Sequence, residues 1–190
     1  MPASLAYFDT SVLVRRYVEE AGATRARVLL GGYRLLSSAV APLEIVSALC
    51  RKRASGHLPA TDFTAIRSRV LRDRTHWELI EVSPLVLAQA EEVIMETALR
   101  TIDALHLASL LVFQSSSGLR IPFVTGDARQ RDAANQLELG WCGQGERGPT
   151  IANNFPLALT HAKNKGFWIA CPGGARGWLA VGSARHGRMG

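Results

Sequence analysis

Four acidic residues stand inside or directly after apolar runs of the sequence. Asp9 follows LAYF, Glu44 interrupts APLEIVSAL, Asp103 interrupts TIDALHLASLL, and Asp127 follows IPFVTG. Two carboxylates about 4 Å apart repel each other by roughly 4 kcal/mol at an effective dielectric constant near 20. A divalent cation turns this repulsion into attraction, and Mg²⁺ and Mn²⁺ prefer oxygen ligands. If the fold brings the four acids together, they predict a Mg²⁺ or Mn²⁺ site.

Phosphodiester hydrolysis is the reaction that such a site favours. A cation held by carboxylates can lower the pKa of a bound water, polarise a phosphoryl oxygen and stabilise the leaving oxygen. Thr10 and Ser11 follow Asp9 directly, and their hydroxyls can orient the ion or a water. The sequence has no histidine or cysteine cluster that would suit zinc. The prediction is hydrolysis by metal-activated water, without a covalent intermediate.

Each acid also has a purely structural interpretation. Asp9 and Asp127 could cap the helices that follow them, and Asp103 could interact with the dipole at a helix start. Glu44 is the hardest to explain in this way, because glutamate is seldom fully buried without a partner. Taken one at a time these interpretations stay open, and the shared location of the acids favours a site.

Alternating strand and helix patterns occupy residues 1–140. The strand-like runs cover 5–8, 33–40, 77–82 and 121–127, with helical periodicity between them. Short connections between such elements predict a largely parallel sheet covered by helices. Functional sites in such sheets form beyond the carboxyl ends of the strands, where Asp9 and Asp127 stand. The predicted elements would therefore bring these acids to one edge.

Composition limits the other possibilities. With 190 residues and 47% hydrophobic side chains, the chain can bury the core of one domain. No stretch approaches the roughly 20 apolar residues of a membrane span, and the N-terminus lacks a signal-peptide pattern, so no membrane association is expected. Three cysteines without metal-site spacing predict reduced thiols in a cytoplasmic protein.

The last 50 residues differ from the rest. Residues 141–190 contain ten of the 17 glycines, and their six basic and one acidic side chains give +5 of the net charge of +6. The high isoelectric point is therefore weak evidence that the main domain binds polyanions. We predict a domain over 1–140 and a poorly ordered Gly/Arg-rich extension over 141–190.

Four segments resemble, in order and spacing, the PIN-domain ribonucleases, and in particular the VapC-like toxins of type II toxin–antitoxin systems. They are YFDTSVLVRRY, SSAVAPLEIVSAL, LRTIDALHLASLL and FVTGDARQRDAA, and the likeness covers residues 4–140. It implies a three-layer α/β/α fold with a central, mainly parallel sheet. The family's metal-binding and catalytic acids correspond to Asp9, Glu44, Asp103 and Asp127, and its site hydroxyls correspond to Ser11 and Thr125.

The resemblance also implies an activity and partners. It implies a Mg²⁺- or Mn²⁺-dependent endoribonuclease that cleaves single-stranded segments of structured RNA such as tRNA or rRNA. It further implies a homodimer and a cognate antitoxin that fills the groove near the acids. Proteins of this kind usually end near residue 140 after a closing strand. Because LELGWCGQGERGPT does not resemble that strand, the closing strand is either replaced or missing, and the sequence does not predict this edge of the sheet.

The sequence also suggests two other functions and several further candidate residues. A haloacid-dehalogenase-type phosphatase also begins with an acid at a strand end, but it needs a second acid two residues later, where this chain has Ser11. A non-catalytic PIN-like module that binds RNA or an antitoxin remains an alternative. His106 is interpreted as a packing residue or, less readily, as a site residue. Contacts to RNA phosphate are considered for RKR at 51–53, Arg129 and Arg131.

Overall fold

A computed structural model describes residues 4–139 with their side chains, and the backbone of 167–170 and 179–181. The strands are β1 (Leu5–Phe8), β2 (Arg34–Ser38), β3 (Glu78–Ile80), β4 (Phe123–Thr125), β5 (Phe167–Ala170) and β6 (Leu179–Val181). The helices are α1 (Thr10–Tyr17), α2 (Ala23–Gly32), α3 (Ala41–Ala54), α4 (Ala60–Asp73), α5 (Pro84–Thr97), α6 (Thr101–Ser117) and α7 (Ala128–Gln136). A short 3-10 helix, Arg74–His76, follows α4.

One sheet forms the centre of the fold, with the strand order β3-β2-β1-β4-β5-β6. The first four strands of the chain run parallel to one another, and β5 and β6 are antiparallel to their neighbours. Because side chains alternate along a strand, β1 contributes to both faces. Ala6 and Phe8 pack among residues of α1 to α4, whereas Tyr7 packs among residues of α5 to α7. The predicted three-layer α/β/α fold with a mainly parallel sheet is confirmed.

The edge of the sheet beyond β4 is formed by strands from the C-terminal segment. β5 pairs with β4 in the register Val124 to Ile169, and β6 pairs with β5. The rest of the segment, 140–166, 171–178 and 182–190, lies outside the described residues. The domain boundary near residue 140 and the poor order of residues 141–190 therefore stay predictions. Strands β5 and β6 come from this segment and extend the sheet.

Truncation after Leu139 tests what these strands contribute. Removing β5 would leave the backbone groups of β4 unpaired on one side, and each lost hydrogen bond costs about 1 kcal/mol. We expect the melting temperature to fall by roughly 5–10 °C, measured by circular dichroism. A chain ending after Val181 retains both strands and serves as the control. Equal melting temperatures for the two truncated chains would contradict this expectation.

Two further expectations concern membrane association and the state of the cysteines. None of the helices in the described part of the chain is both long and apolar enough to cross a membrane. Cys50 is an exposed free cysteine in the part of the chain that the structure describes. Cys142 and Cys171 lie outside the described residues.

Candidate functional site

The four acids predicted from the sequence line one cleft of about 290 Å³. The cleft lies at the carboxyl ends of the parallel strands, because Asp9 follows β1, Asp127 follows β4, and Glu44 lies in the first turn of α3 after β2. Asp103 reaches it from the first turn of α6. Ser11 also lines the cleft, and Thr125 is buried beneath it. All six predicted site residues therefore come together, while their roles stay predictions.

Asp9 lies at the bottom of the cleft and is almost completely buried. Its Oδ2 accepts hydrogen bonds from the backbone N–H of Ser11 at 3.0 Å and from the Thr125 hydroxyl at 3.3 Å. The first of these bonds caps α1, so the structural interpretation of Asp9 holds together with the site interpretation. Its Oδ1 accepts from Gln130 Nε2 at 3.0 Å.

Gln130 joins two of the acids and was missed in the sequence. Its Nε2 donates to Asp9 Oδ1 and to Asp103 Oδ1, each at 3.0 Å, and its side chain is buried. The available signal was misleading, because Asp127 and Gln130 have the spacing of a capping box, in which the glutamine would turn back to the start of its own helix. Instead the Asp127 N–H donates to Thr125 Oγ1, and Gln130 turns into the cleft.

Asp103 experiences the charge of the other acids. Burial raises the pKa of its carboxyl above the usual value, the hydrogen bond from Gln130 opposes this, and the negative charges of Asp127 and Asp9 raise the pKa further. The cleft therefore concentrates negative charge, which is the electrostatic condition for attracting a cation.

Glu44 is held in the cleft by a chain of buried polar groups. Its Oε2 accepts from the Thr10 hydroxyl at 2.6 Å and lies 2.6 Å from His106 Nε2. The other ring nitrogen of His106 lies 2.9 Å from the Tyr7 hydroxyl. A neutral ring that carries its proton on Nε2 satisfies both contacts, since it donates to Glu44 and accepts from Tyr7. The chain connects β1 through α6 to α3.

His106 is a packing residue, as the sequence suggests, and it also contacts an acid of the site. The ring is fully buried and also bonds to Glu44. Burial alone would lower the pKa of His106, but the hydrogen bond to Glu44 and the charges of Asp9, Glu44 and Asp103 raise it above the ordinary value of histidine. His106 therefore lies behind the wall of the cleft, where it contacts Glu44, and its sequence position one turn after Asp103 was the signal for it.

Asp127 and Ser11 complete the opposite wall. Asp127 caps α7 by accepting from the Arg129 N–H at 2.7 Å, so here too a capping acid lines the cleft. The Ser11 hydroxyl accepts from the Gly126 N–H at 2.8 Å, which ties the start of α1 to the turn after β4. Arg129 and Arg131, considered for phosphate contacts, form ion pairs with Asp127 and Asp132.

A family model for the PIN domain matches residues 6–136. The chain belongs to the PIN-domain family. This confirms the resemblance seen over residues 4–140. A solved structure described as a toxin–antitoxin complex from Klebsiella pneumoniae is similar to this PIN domain at 15% identity and a TM-score of 0.47, covering 66% of this chain and 88% of that chain. A search of curated proteins finds no match.

The fit of a divalent cation to this PIN domain is a question of donor chemistry and of spacing. Within residues 4–139, no three His, Cys, Asp or Glu side chains lie close enough together to hold a metal ion. The donors nevertheless suit Mg²⁺ or Mn²⁺, because Asp9 and Asp103 present carboxylate oxygens to one shared hydrogen-bond donor, the amide nitrogen of Gln130. The residues therefore fit an ion that is bound through one or two carboxylates, with Asp9 and Asp103 as the pair that converges on a common atom.

Positive charge enters the cleft of the PIN domain through Arg15. Its guanidinium pairs with Glu20 at 3.3 Å, and Glu20 is bound from the other side by Lys52 at 2.7 Å. A Cβ atom at Gly126 would collide with the Arg15 guanidinium and lie 3.1 Å from Ser11 Oγ. The absence of a side chain at Gly126 therefore allows Arg15 to lie against the turn beside the acids.

Gly126→Ala tests this close approach. Because Arg15 and Ser11 would have to move, we expect the free energy of unfolding to fall by about 1–2 kcal/mol, measured by urea denaturation. Gly31→Ala is the control, since no heavy atom lies within 4 Å of a Cβ there and alanine favours a helix by roughly 0.5–1 kcal/mol. A Gly126→Ala protein as stable as the Gly31→Ala protein would contradict the prediction.

Proposed function

We propose that this PIN domain is a Mg²⁺- or Mn²⁺-dependent endoribonuclease toxin of the VapC-like kind, which hydrolyses phosphodiester bonds of single-stranded or structured RNA. The observation that carries the proposal is that four carboxylates from four separate chain segments line one cleft at the carboxyl ends of the parallel strands. A structural protein gains nothing from bringing them together, because like charges repel. Membership of the PIN-domain family supports a nuclease.

A bound divalent cation would supply Lewis-acid polarisation of the phosphate and activation of water. Asp9 and Asp103 would hold it, and Glu44 and Asp127 would complete the negative wall of the cleft. His106 and Thr10 fix the Glu44 carboxylate from behind, so its second oxygen keeps its direction. The Thr125 hydroxyl contacts the Asp9 carboxylate and the Asp127 N–H, and the Ser11 hydroxyl contacts the Gly126 N–H in the turn after β4. These contacts would position the two acids.

Basic residues beside the cleft suit a polyanionic substrate. Arg51 lines the acidic cleft and also a neighbouring depression of about 430 Å³, to which Lys52 and His57 contribute. An RNA strand with a phosphate in the cleft would therefore pass over cationic groups on one side. Within this proposal we expect tRNA or rRNA as substrate, a cognate antitoxin that covers the cleft, a homodimer and a cytoplasmic location.

The experiment is cleavage of defined RNA. Purified protein is incubated with tRNA and rRNA fragments in Mg²⁺, in Mn²⁺ or in EDTA, and the product ends are mapped. We expect cleavage in either metal, 5′-phosphate and 3′-hydroxyl product ends, and no cleavage in EDTA. Cleavage that persists in EDTA, or products with 2′,3′-cyclic phosphate, would contradict the proposed chemistry.

A non-catalytic PIN-like module that binds RNA or an antitoxin is the second candidate. This candidate is favoured because Gln130 and His106 already form hydrogen bonds with carboxylates of the cleft. In addition, no three acids of the described chain lie close enough together to hold a metal ion. The two candidates differ in their response to metal. A nuclease site should raise the melting temperature in millimolar Mn²⁺, whereas an unchanged melting temperature favours the binding module.

A further inference from the structure

The side chain of Gln130 occupies the space between two acids of the cleft. We propose that the Gln130 amide competes with a divalent ion for the carboxylates of Asp9 and Asp103. This inference rests on the proposed metal-dependent function. It assigns a role to a residue that is not itself an acid.

The geometry fixes which end of the Gln130 amide group faces the two acids. Nε2 lies 3.0 Å from Asp9 Oδ1 and 3.0 Å from Asp103 Oδ1, so each of its two hydrogens has one acceptor. The opposite orientation would place the amide oxygen against two carboxylate oxygens, where the charges repel. The side chain is 2% exposed, so solvent water has little access to replace these bonds. Gln130 thus compensates in part for the repulsion between the two acids.

The amide and an ion would compete for the same two oxygens. Mg²⁺ needs oxygen ligands at about 2.0–2.1 Å. The Gln130 amide nitrogen already lies 3.0 Å from Asp9 Oδ1 and 3.0 Å from Asp103 Oδ1. Its hydrogens point at the lone pairs that the ion needs. Binding between Asp9 and Asp103 therefore breaks two hydrogen bonds to charged acceptors.

Glutamine at this position would lower the affinity for metal while it stabilises the metal-free protein. The test compares wild type with Gln130→Leu, a change that removes the amide and keeps a similar size. Melting temperature in EDTA and half-saturating Mn²⁺ are measured, the latter by titration calorimetry. We expect a lower melting temperature in EDTA and a half-saturating Mn²⁺ concentration about a hundredfold lower, roughly tenfold for each of the two hydrogen bonds to charged acceptors.

Gln114→Leu is the matched control. Gln114 is also a buried glutamine, its amide bonds to the Ile121 carbonyl and to Arg120, and it does not line the cleft. We expect this variant to lose stability in EDTA and to keep the wild-type Mn²⁺ affinity. If Gln130→Leu does not fold, Gln130→Met repeats the test with a more adaptable side chain.

The outcomes separate this inference from the proposed function. A Gln130 variant that binds Mn²⁺ as wild type does, or more weakly, overturns the competition, and weaker binding would make Gln130 a ligand. In both cases, binding of Mn²⁺ by the wild-type protein leaves the proposed function standing. If the Gln130 variant binds Mn²⁺ and the wild-type protein does not, the competition is supported. No response in either protein contradicts the proposed function and the inference with it.

Discussion

Asp9→Asn is expected to abolish RNA cleavage while the fold is retained. Asp9 is the most buried acid of the cleft, and its carboxylate accepts from Thr125 and Gln130, which lie on either side of Asp127. Removing one preorganised charged group at a reacting phosphate typically lowers the rate by about 10²–10³. Asparagine keeps the cap of α1, but its amide nitrogen cannot accept from Gln130, so we expect the free energy of unfolding to fall by about 1–3 kcal/mol. The measurement is cleavage of a labelled RNA in Mg²⁺, together with the melting temperature.

Asp132→Asn is the matched control for this prediction. Asp132 is an exposed acid of α7 that pairs with Arg131 and does not line the cleft. We expect wild-type cleavage from it. Glu44→Gln should behave as Asp9→Asn does, since Glu44 lines the same cleft. Cleavage that survives in both cleft variants, with the fold intact, would refute the proposed nuclease site.

His106→Leu is expected to impair stability and cleavage together. The substitution leaves Glu44 without its imidazole partner and removes the acceptor of the buried Tyr7 hydroxyl. Leaving buried polar groups without partners costs about 2–3 kcal/mol in the free energy of unfolding. A site carboxylate that loses its supporting hydrogen bond typically costs about 10–100-fold in metal affinity or activity. Urea denaturation and the RNA assay measure the two effects.

Two variants show whether the effect comes from the buried chain of polar groups. Tyr7→Phe removes only the hydroxyl at the far end and should cost about 1 kcal/mol with a smaller loss of cleavage. His76→Leu makes the same substitution at an exposed histidine of the 3-10 helix and should change neither quantity. A His106→Leu protein with full activity would show that Thr10 alone suffices to hold Glu44.

Local patterns predicted most of the elements because their signals lie within a few residues. β1 has the bounds predicted from LAYF, and ATRARVLLGG, whose two final glycines indicate a helix end, forms α2. α5 begins at Pro84 after Ser83, whose hydroxyl accepts from the Val86 N–H as a cap. Thr61 and Asp62, at the start of TDFTAIRSRVLRDR, suggest a Thr/Asp cap for α4, and this prediction is wrong. That helix already begins at Ala60, since Pro59 ends the preceding loop, and no side chain caps it.

The convergence of the acids followed from a topological rule, and the contacts between them did not. Parallel strands place Asp9 and Asp127 at one edge whatever the details of packing. Gln130 and His106 contact the acids only because α7 and α6 pack at particular angles over β4 and β1, which no short pattern encodes. β5 pairs with β4 across more than 40 residues of sequence, and its segment shows no periodicity.

Strand β1 lies between β2 and β4, and Asp9 continues it at the carboxyl end. The amide hydrogens of Tyr7 and Asp9 are donated to the Pro122 and Val124 carbonyls, so neither can exchange with deuterium unless the middle of the sheet opens. That opening ranks among the rarest fluctuations of a domain. Local opening at the edges of the domain would therefore leave the Asp9 carboxylate in place. Displacing that carboxylate would require cooperative unfolding of the whole domain.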